Sequence, residues 1–257
     1  MSRKRFFFPS GISLNSVYEL TEKERHYLAR VLRLKVGDKV ELFDGYGREG
    51  VGVLEGIDVR HLRVRVVEVG RKEERRFDLI LCQSLPKKGK MDLIVEKATE
   101  LGVSKIIPLV TRRSVSRPRR GEEEKKVARW QRIAQEAARQ SGRAIVPEVL
   151  PIVEFESFLM QGFPPGFLPL LLWEGGESKG REVAEWEKVN SSPGVMVVVG
   201  PEGGFDDKEV QKAKERGFIP LWMGPYVLRT ETAAIVICAL IQHARGAFSP
   251  IEGRKGD

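Results

Sequence analysis

Apolar positions along this chain follow two different periods, and the change comes near residue 77. Before it, short runs favour β-structure: Lys39 to Phe43, Gly50 to Gly56, and Leu62 to Val69, where Leu62, Val64, Val66 and Val69 roughly alternate with Arg63 and Arg65. A helix is predicted ahead of them, N-capped by Thr21 with Glu24 three residues on, and running through HYLARVLRL to the Gly37-Asp38 turn. Its apolar positions Leu28, Val31 and Leu32 leave Arg30 and Arg33 on or near another face. The pattern describes a small β-barrel with a helix over residues 1–72, closed by the charged connector GRKEERR, Gly70 to Arg76.

From Phe77 onward strands and helices alternate, as in a parallel α/β sheet, so residues 73–257 form the second expected domain. DLILCQSL is a strand. Met91 to Leu101 is a helix with Leu93, Ile94, Ala98 and Leu101 inward and Gly102 closing it. SKIIPLVT and FLPLLLWEGG are further strands, with a long helix from Val127 to Ser141 between them. RRSVSRPRRGEEEKK, Arg112 to Lys126, is too polar to pack and reads as a solvated loop or an RNA contact. The most informative stretch is Val195 to Leu240. A buried run, Val195 to Val199, stops at Gly200-Pro201-Glu202-Gly203-Gly204. Asp206 and Glu209 then form a capping box, with Phe205 and Val210 as its hydrophobic staple. A second run, Ile219 to Met223, ends in Gly224-Pro225, and after LRTET an apolar helix runs from Ala233 to Ala244. Two strands thus end in glycine turns that lead to helices. In open α/β sheets ligands bind at the carboxyl ends of strands, so these turns are one candidate pocket.

Charge sharpens the picture. The 257 residues carry 44 Lys+Arg against 36 Asp+Glu, net +8 with a sequence pI near 9.5, which favours an anionic partner. Residues 1–76 hold 17 basic and 12 acidic side chains, so the smaller part carries most of the excess. Cys82 and Cys238 both sit in apolar runs, as core residues do, and no disulfide framework or zinc spacing is present. No signal peptide or span of about 20 apolar residues is found, so a soluble cytoplasmic protein is expected. His26, His61 and His243 have no metal-ligand spacing, so no metal is expected. Neither a P-loop nor a G-x-S-x-G elbow occurs. Gly45-Tyr46-Gly47-Arg48-Glu49-Gly50 does fit G-x-G-x-x-G, but a strand pattern follows instead of a helix, so it reads as a hairpin turn.

GPEGGF followed by MGPYVLRTETA resembles the small-subunit ribosomal RNA uridine-N3 methyltransferase family (RsmE-type) of the SPOUT class. The likeness extends through LPKKGKMDLIVEKATELGV and RWQRIAQEAARQSGR with VPEV, and an HxLxxVLRxKxGD segment lies in the N-terminal part. The resemblance implies a SPOUT-type α/β knot, a trefoil-knotted mostly parallel sheet, with a small N-terminal PUA-like β-barrel that binds RNA. It implies a homodimer paired through the knot region, S-adenosyl-L-methionine as cofactor, and N3 of a uridine in 16S ribosomal RNA as target. Cofactor contacts are then expected from Leu172, Trp173, Gly200, Pro201, Glu202, Gly203, Leu221, Met223, Gly224, Val227, Leu228, Arg229, Thr230, Thr232 and Ala233. RNA contacts are expected from Arg3, Arg5, Arg30 and Arg33. At uridine N3 a proton leaves as the methyl arrives, so a base or an anion stabiliser is needed. Arg229 suits stabilisation; Glu202 and Glu231 are the candidate bases, each requiring a pKa raised by burial. Glu231 also falls in a first helical turn, where a carboxylate is favourable without any catalytic role. Two other functions compete: a non-catalytic RNA-binding or ribosome-assembly factor on the same fold, and a SPOUT enzyme acting on a tRNA 2′-hydroxyl. Intact GPEGG and LRTETA weigh against the first, and LRTETA, which differs from the final motif of the RNA-ribose members, weighs against the second.

Overall fold

The computed structural model describes residues 4–56, 62–72, 77–87, 89–119, 121–175 and 182–248, which fall into two compact units. One comprises Met1–Glu74 with Gln135–Val146, the other Arg75–Ala134 with Pro147–Asp257.

The first unit is a five-stranded half-barrel of β1 (Arg5–Phe7), β2 (Val17–Glu19), β3 (Lys39–Phe43), β4 (Arg48–Glu55) and β5 (Arg63–Arg71), in the order β1-β3-β4-β5-β2. Its inner face buries Ile12, Leu28, Leu42, Leu54, Val64 and Val66 in one cluster. Alternation along β5 stops at Val66, because a bulge opposite Val51 and Gly52 shifts the register there, and Val69 is exposed. The expected hairpin turn joins β3 to β4, with Gly45 and Gly47 at φ 81° and 97°, values that suit glycine. That turn also bonds a distant segment: Gly47 N–H donates to Ala144 O at 3.1 Å, and Val146 N–H to Gly45 O at 3.0 Å.

Thr21 and Glu24 form the expected cap: Thr21 N–H donates to Glu24 Oε2 at 2.7 Å, and Glu24 N–H to Thr21 Oγ1 at 3.3 Å. The helix itself is shorter than its sequence pattern. After α1 (Glu22–His26) it widens into a π-helical turn, Tyr27–Val31, and Leu34 N–H closes back on Leu28 O at 3.0 Å. Arg33 takes the left-handed conformation at φ 53°, the place where glycine usually ends a helix. This costs about 1 kcal/mol for a residue with a Cβ. Arg30 and Arg33 are both exposed.

Arg5 departs from the expected RNA-facing position. It is only 1% exposed, with its guanidinium 4.1 Å from the centroid of the Phe43 ring, Nη1 donating to Ala138 O at 3.1 Å, and Nη2 paired with Glu49. Parallel pairing of β1 with β3 turns it inward, and a buried guanidinium needs such partners. Arg3 and His61 lie outside the described residues.

The second unit is a parallel sheet of β6 (Asp78–Ser84), β7 (Lys105–Val110), β8 (Glu148–Val149), β9 (Val153–Glu154), β10 (Leu168–Leu172), β11 (Gly194–Val199) and β12 (Ile219–Leu221). The main path runs β12-β10-β11-β6-β7-β8, and β9 pairs with β7. Its helices are α2 (Lys90–Glu100), α3 (Glu123–Ser141), α4 (Phe155–Gln161), α5 (Glu182–Ser191), α6 (Asp207–Glu215) and α7 (Thr230–Ala244). The chain passes from one unit to the other within α3. Along α2, Met91, Ile94, Val95 and Ala98 form the buried stripe at three-to-four spacing. Leu93 lies off that stripe and is 41% exposed, not inward as expected. Cys82 and Cys238 are buried, and loss of hydration pushes the Cys238 thiol up to about 12 and the Cys82 thiol up as well. Both are packing residues, inert as nucleophiles at neutral pH. The adjacent strands β12, β10, β11 and β6 are parallel, so the turns that follow them gather at one edge of the sheet.

Candidate functional site

The Gly200–Gly204 turn lies between β11 and α6, folded by a bond from Gly204 N–H to Pro201 O at 2.9 Å. The capping box that starts α6 is present: Asp206 Oδ1 accepts from Lys208 N–H at 3.1 Å, and Glu209 Oε2 accepts from Asp206 N–H at 2.9 Å. The other Glu209 oxygen accepts the Arg112 N–H at 2.9 Å, so one buried carboxylate fixes both α6 and the start of the basic loop. Phe205 and Val210 are buried together in the core, as a staple requires. On the other side, Trp173 N–H donates to Leu221 O at 3.1 Å and joins the ends of β10 and β12.

A buried relay ties α7 to the glycine turn. Gln83 Nε2, at the end of β6, donates to Thr230 Oγ1 at 3.0 Å, and Thr230 Oγ1 donates to Gly200 O at 2.6 Å. The Thr230 hydroxyl thus has both its donor and an acceptor position engaged by protein. Its contribution to a ligand site is to hold Gly200.

These elements enclose a cavity of about 480 Å³, within the range of sites for small molecules. Of the residues expected at the cofactor, Leu172, Trp173, Gly200, Pro201, Glu202, Gly203, Leu221, Met223, Gly224, Val227, Leu228, Arg229, Thr230 and Ala233 all line it. Thr232 does not: it is exposed on α7, where Thr230 and Ala233, three residues apart, share the face toward the cavity. Gly224 has φ 105°, open to glycine and strained for other residues. Tyr226 and Val227 are strongly exposed at the cavity.

The candidate bases behave contrary to expectation. Burial would raise Glu202, but its own backbone N–H, the Lys90 ammonium and the Lys87 N–H together hold it below the usual carboxylate range. Burial opposes ionisation of Glu231 in the same way, and Lys90, the Glu231 N–H and the Arg229 charge bring it down. Both carboxylates meet one ammonium, Lys90 Nζ lying 3.0 Å from Glu202 Oε1 and 2.9 Å from Glu231 Oε2. A carboxylate held down in this way is a poor acceptor for the weakly acidic N3 proton. Glu231 is not among the cavity-lining residues, and Glu202 is.

Two side chains at the site were not singled out in the sequence. Lys90 stands in a run with Lys87 and Lys88, so nothing local marks it. Arg113 lines the cavity and its Nη1 donates to Gly203 O at 3.0 Å. The basic loop that carries it was legible; its bond to the glycine turn was not.

A cavity lined by backbone at two glycine turns and by Leu172, Leu221, Leu228 and Trp173 fits a nucleoside-bearing cofactor. A family model described as an RNA methyltransferase domain matches residues 73–242, and one described as an RNA methyltransferase PUA domain matches residues 20–67. The chain is 31% identical over 232 residues to ribosomal RNA small subunit methyltransferase E of Bacillus subtilis, covering 88% of this chain and 90% of that protein. To the protein of the same name in a Synechocystis species it is 34% identical, covering 89% and 73%. Among solved structures, ribosomal RNA small subunit methyltransferase E from Neisseria gonorrhoeae bound to S-adenosyl methionine aligns with a TM-score of 0.82 at 29% identity, over 94% of this chain and 97% of that one. A structure from Legionella pneumophila with bound S-adenosyl methionine aligns with a TM-score of 0.83 at 30% identity, over 95% and 98%.

Proposed function

We infer the activity from one premise: this chain belongs to the ribosomal RNA small subunit methyltransferase E family, and it is an S-adenosylmethionine-dependent methyltransferase of ribosomal RNA. The cavity at the ends of β10, β11 and β12 is the observation that carries this reading to particular residues. The cofactor brings a methyl group on a sulfonium centre, already activated for transfer. The protein's own task is to bind, orient and stabilise charge. Backbone groups at Gly200–Gly203 and Gly224 hold the polar parts of the cofactor, and Leu172, Leu221 and Leu228 cover its apolar surface. Arg229, exposed at the cavity in front of α7, faces the uridine and stabilises the anion as N3 loses its proton. Glu202 and Glu231 set the geometry around it.

The target is N3 of a uridine in 16S ribosomal RNA, and the enzyme works in the cytoplasm, where that RNA is assembled into subunits. No helix among the described residues is long and apolar enough to cross a membrane. Calorimetry with S-adenosylmethionine, followed by mass spectrometry of small-subunit ribosomal RNA incubated with the protein, tests this function. No cofactor heat and no methylated uridine would overturn it.

Residues 1–72 supply the RNA grip, with exposed Arg30 and Arg33 on phosphates and residues 73–257 as the catalytic domain. Removing one arginine–phosphate pair should flatten the dependence of log affinity on log salt by about 0.7 to 0.9. The Arg30→Ala/Arg33→Ala double variant is expected to show weaker RNA binding with a shallower slope. An unchanged slope would remove these residues from the interface.

The enzyme acts as a homodimer through α7. Ile237 and Ile241 of that helix are buried in the chain itself, whereas Leu240 is exposed and Ile235 and Val236 are half-buried. That is more apolar surface than a single core-facing stripe needs. Light scattering at micromolar concentration should give twice the 29.0 kDa chain mass; a monomer would refute the pairing.

A further inference from the structure

We propose that Lys90 is a positioning residue: it occupies Glu202 and Glu231 and thereby keeps the Arg229 guanidinium available to the substrate. The proposal rests on the functional reading above, in which Arg229 serves methyl transfer.

Three elements converge on the Lys90 ammonium. It belongs to the first turn of α2, Glu202 to the turn after β11, and Glu231 to the first turn of α7. All three side chains are largely withdrawn from solvent, at 29%, 20% and 14% exposure respectively. Helix N-termini favour acidic side chains, so the start of α2 is the wrong end for a cation on local grounds. Its location is explained instead by the two carboxylates it meets.

Arg229 is in a different situation. It precedes α7 with extended backbone, its side chain makes no capping bond, and among the described residues it has no ion-pair partner. Yet its charge acts on Glu231, two residues along, and Lys90 and Arg229 are the two cations that do so. Removing Lys90 leaves Arg229 as the cation remaining to Glu231. An ion pair between them would draw the guanidinium toward the helix and away from the cavity. Glu231 would keep its own backbone N–H but lose the ammonium 2.9 Å away, and pairing with Arg229 would replace the lost charge.

The test is a double-variant cycle in the full-length protein, with small-subunit ribosomal RNA and S-adenosylmethionine as substrates. Lys90→Met should lower kcat roughly 10- to 100-fold, more than it weakens cofactor binding measured by calorimetry. Adding Glu231→Gln to Lys90→Met removes the competing charge and should recover about tenfold in kcat. Lys90→Arg, which keeps a cation at the junction, should stay closer to wild type than Lys90→Met does. Lys90→Gln serves as a second starting variant with the same expected rescue, should the methionine variant fold poorly. A lysine that merely stabilised the fold would lose and regain kcat in step with the thermal unfolding midpoint, whereas a positioning lysine moves kcat at saturating substrates well beyond any change in that midpoint. An unrescued double variant, or Lys90 variants with wild-type kcat, overturns the assignment while the wild-type chain still binds cofactor and methylates RNA. A wild-type chain that does neither overturns the functional reading itself, and the role of Lys90 with it.

Discussion

Arg229→Ala is expected to lower turnover about 10²–10³-fold, the usual loss when one preorganised donor to a developing anion is removed. Cofactor affinity should change far less. The side chain lines the cavity but has no hydrogen bond or ion pair among the described residues, so its truncation leaves no buried partner behind. A cation aimed at the uridine is most valuable when N3 carries negative charge, which is in the transition state, so the loss should fall on kcat. Lysine at this position keeps the charge but not the planar fork, and should give an intermediate rate if two donors are used together. Single-turnover methylation with calorimetric cofactor affinity separates the effects. An Arg229→Ala protein that binds cofactor and RNA normally and methylates at the wild-type rate would make Arg229 structural. The search for the catalytic group would then return to Glu202 and Glu231.

Gly203→Val should weaken S-adenosylmethionine binding by about 10- to 100-fold while the protein stays folded. The structure adds a reason to the bare idea of a ligand close to the backbone. A Cβ placed at Gly203 would meet Arg113 Cβ at 3.2 Å, tighter than ordinary packing, and valine adds two methyls beyond it. Arg113 Cβ must then give way by at least a few tenths of an ångström, which disturbs its bond to Gly203 O. Gly203 is exposed, so the damage stays local to the turn and the cavity. Thermal unfolding near the wild-type midpoint, with the heat of cofactor binding much reduced, is the expected pair of results. Undiminished affinity would show that the turn accommodates a side chain and that the cofactor does not lie against it.

What the sequence reveals of this molecule follows the range of the interactions concerned. The cap at Asp206, its Glu209 partner and the Phe205–Val210 staple are set within one turn of helix, and they appear as read. So do the glycine turns after β11 and β12, because Gly-Pro pairs and adjacent glycines mark turns locally, whereas the single prolines Pro108, Pro169 and Pro220 stay inside strands. The exposure of Leu93 has a physical reason: in Met91-Asp92-Leu93-Ile94-Val95 several apolar residues are adjacent, and only packing selects which stripe of α2 faces inward. Arg5 shows the same limit from the other side. The family resemblance sets Arg5 on RNA, yet parallel pairing with β3 and the carbonyl of Ala138 make it part of the interior. Lys90 is the furthest case. Its carboxylate partners lie more than a hundred residues away, and one lysine among three in LPKKGK carries no sign of them.

The pairing of the Gly45–Gly47 turn with Ala144–Val146 has a consequence for how the protein is made. The half-barrel's own strands have all been synthesised by Arg71, but the segment that completes the unit, Gln135–Val146, has not. Another 75 residues separate Arg71 from Val146, which takes about 4–15 s at roughly 5–20 residues per second. For most of that interval the Arg5 guanidinium lacks the Ala138 carbonyl that accepts from it in the finished fold. The N-terminal unit is therefore first in sequence without being the first able to close. A nascent chain halted before residue 135 should accordingly remain sensitive to protease within its first 72 residues, and become resistant once Val146 has cleared the ribosome.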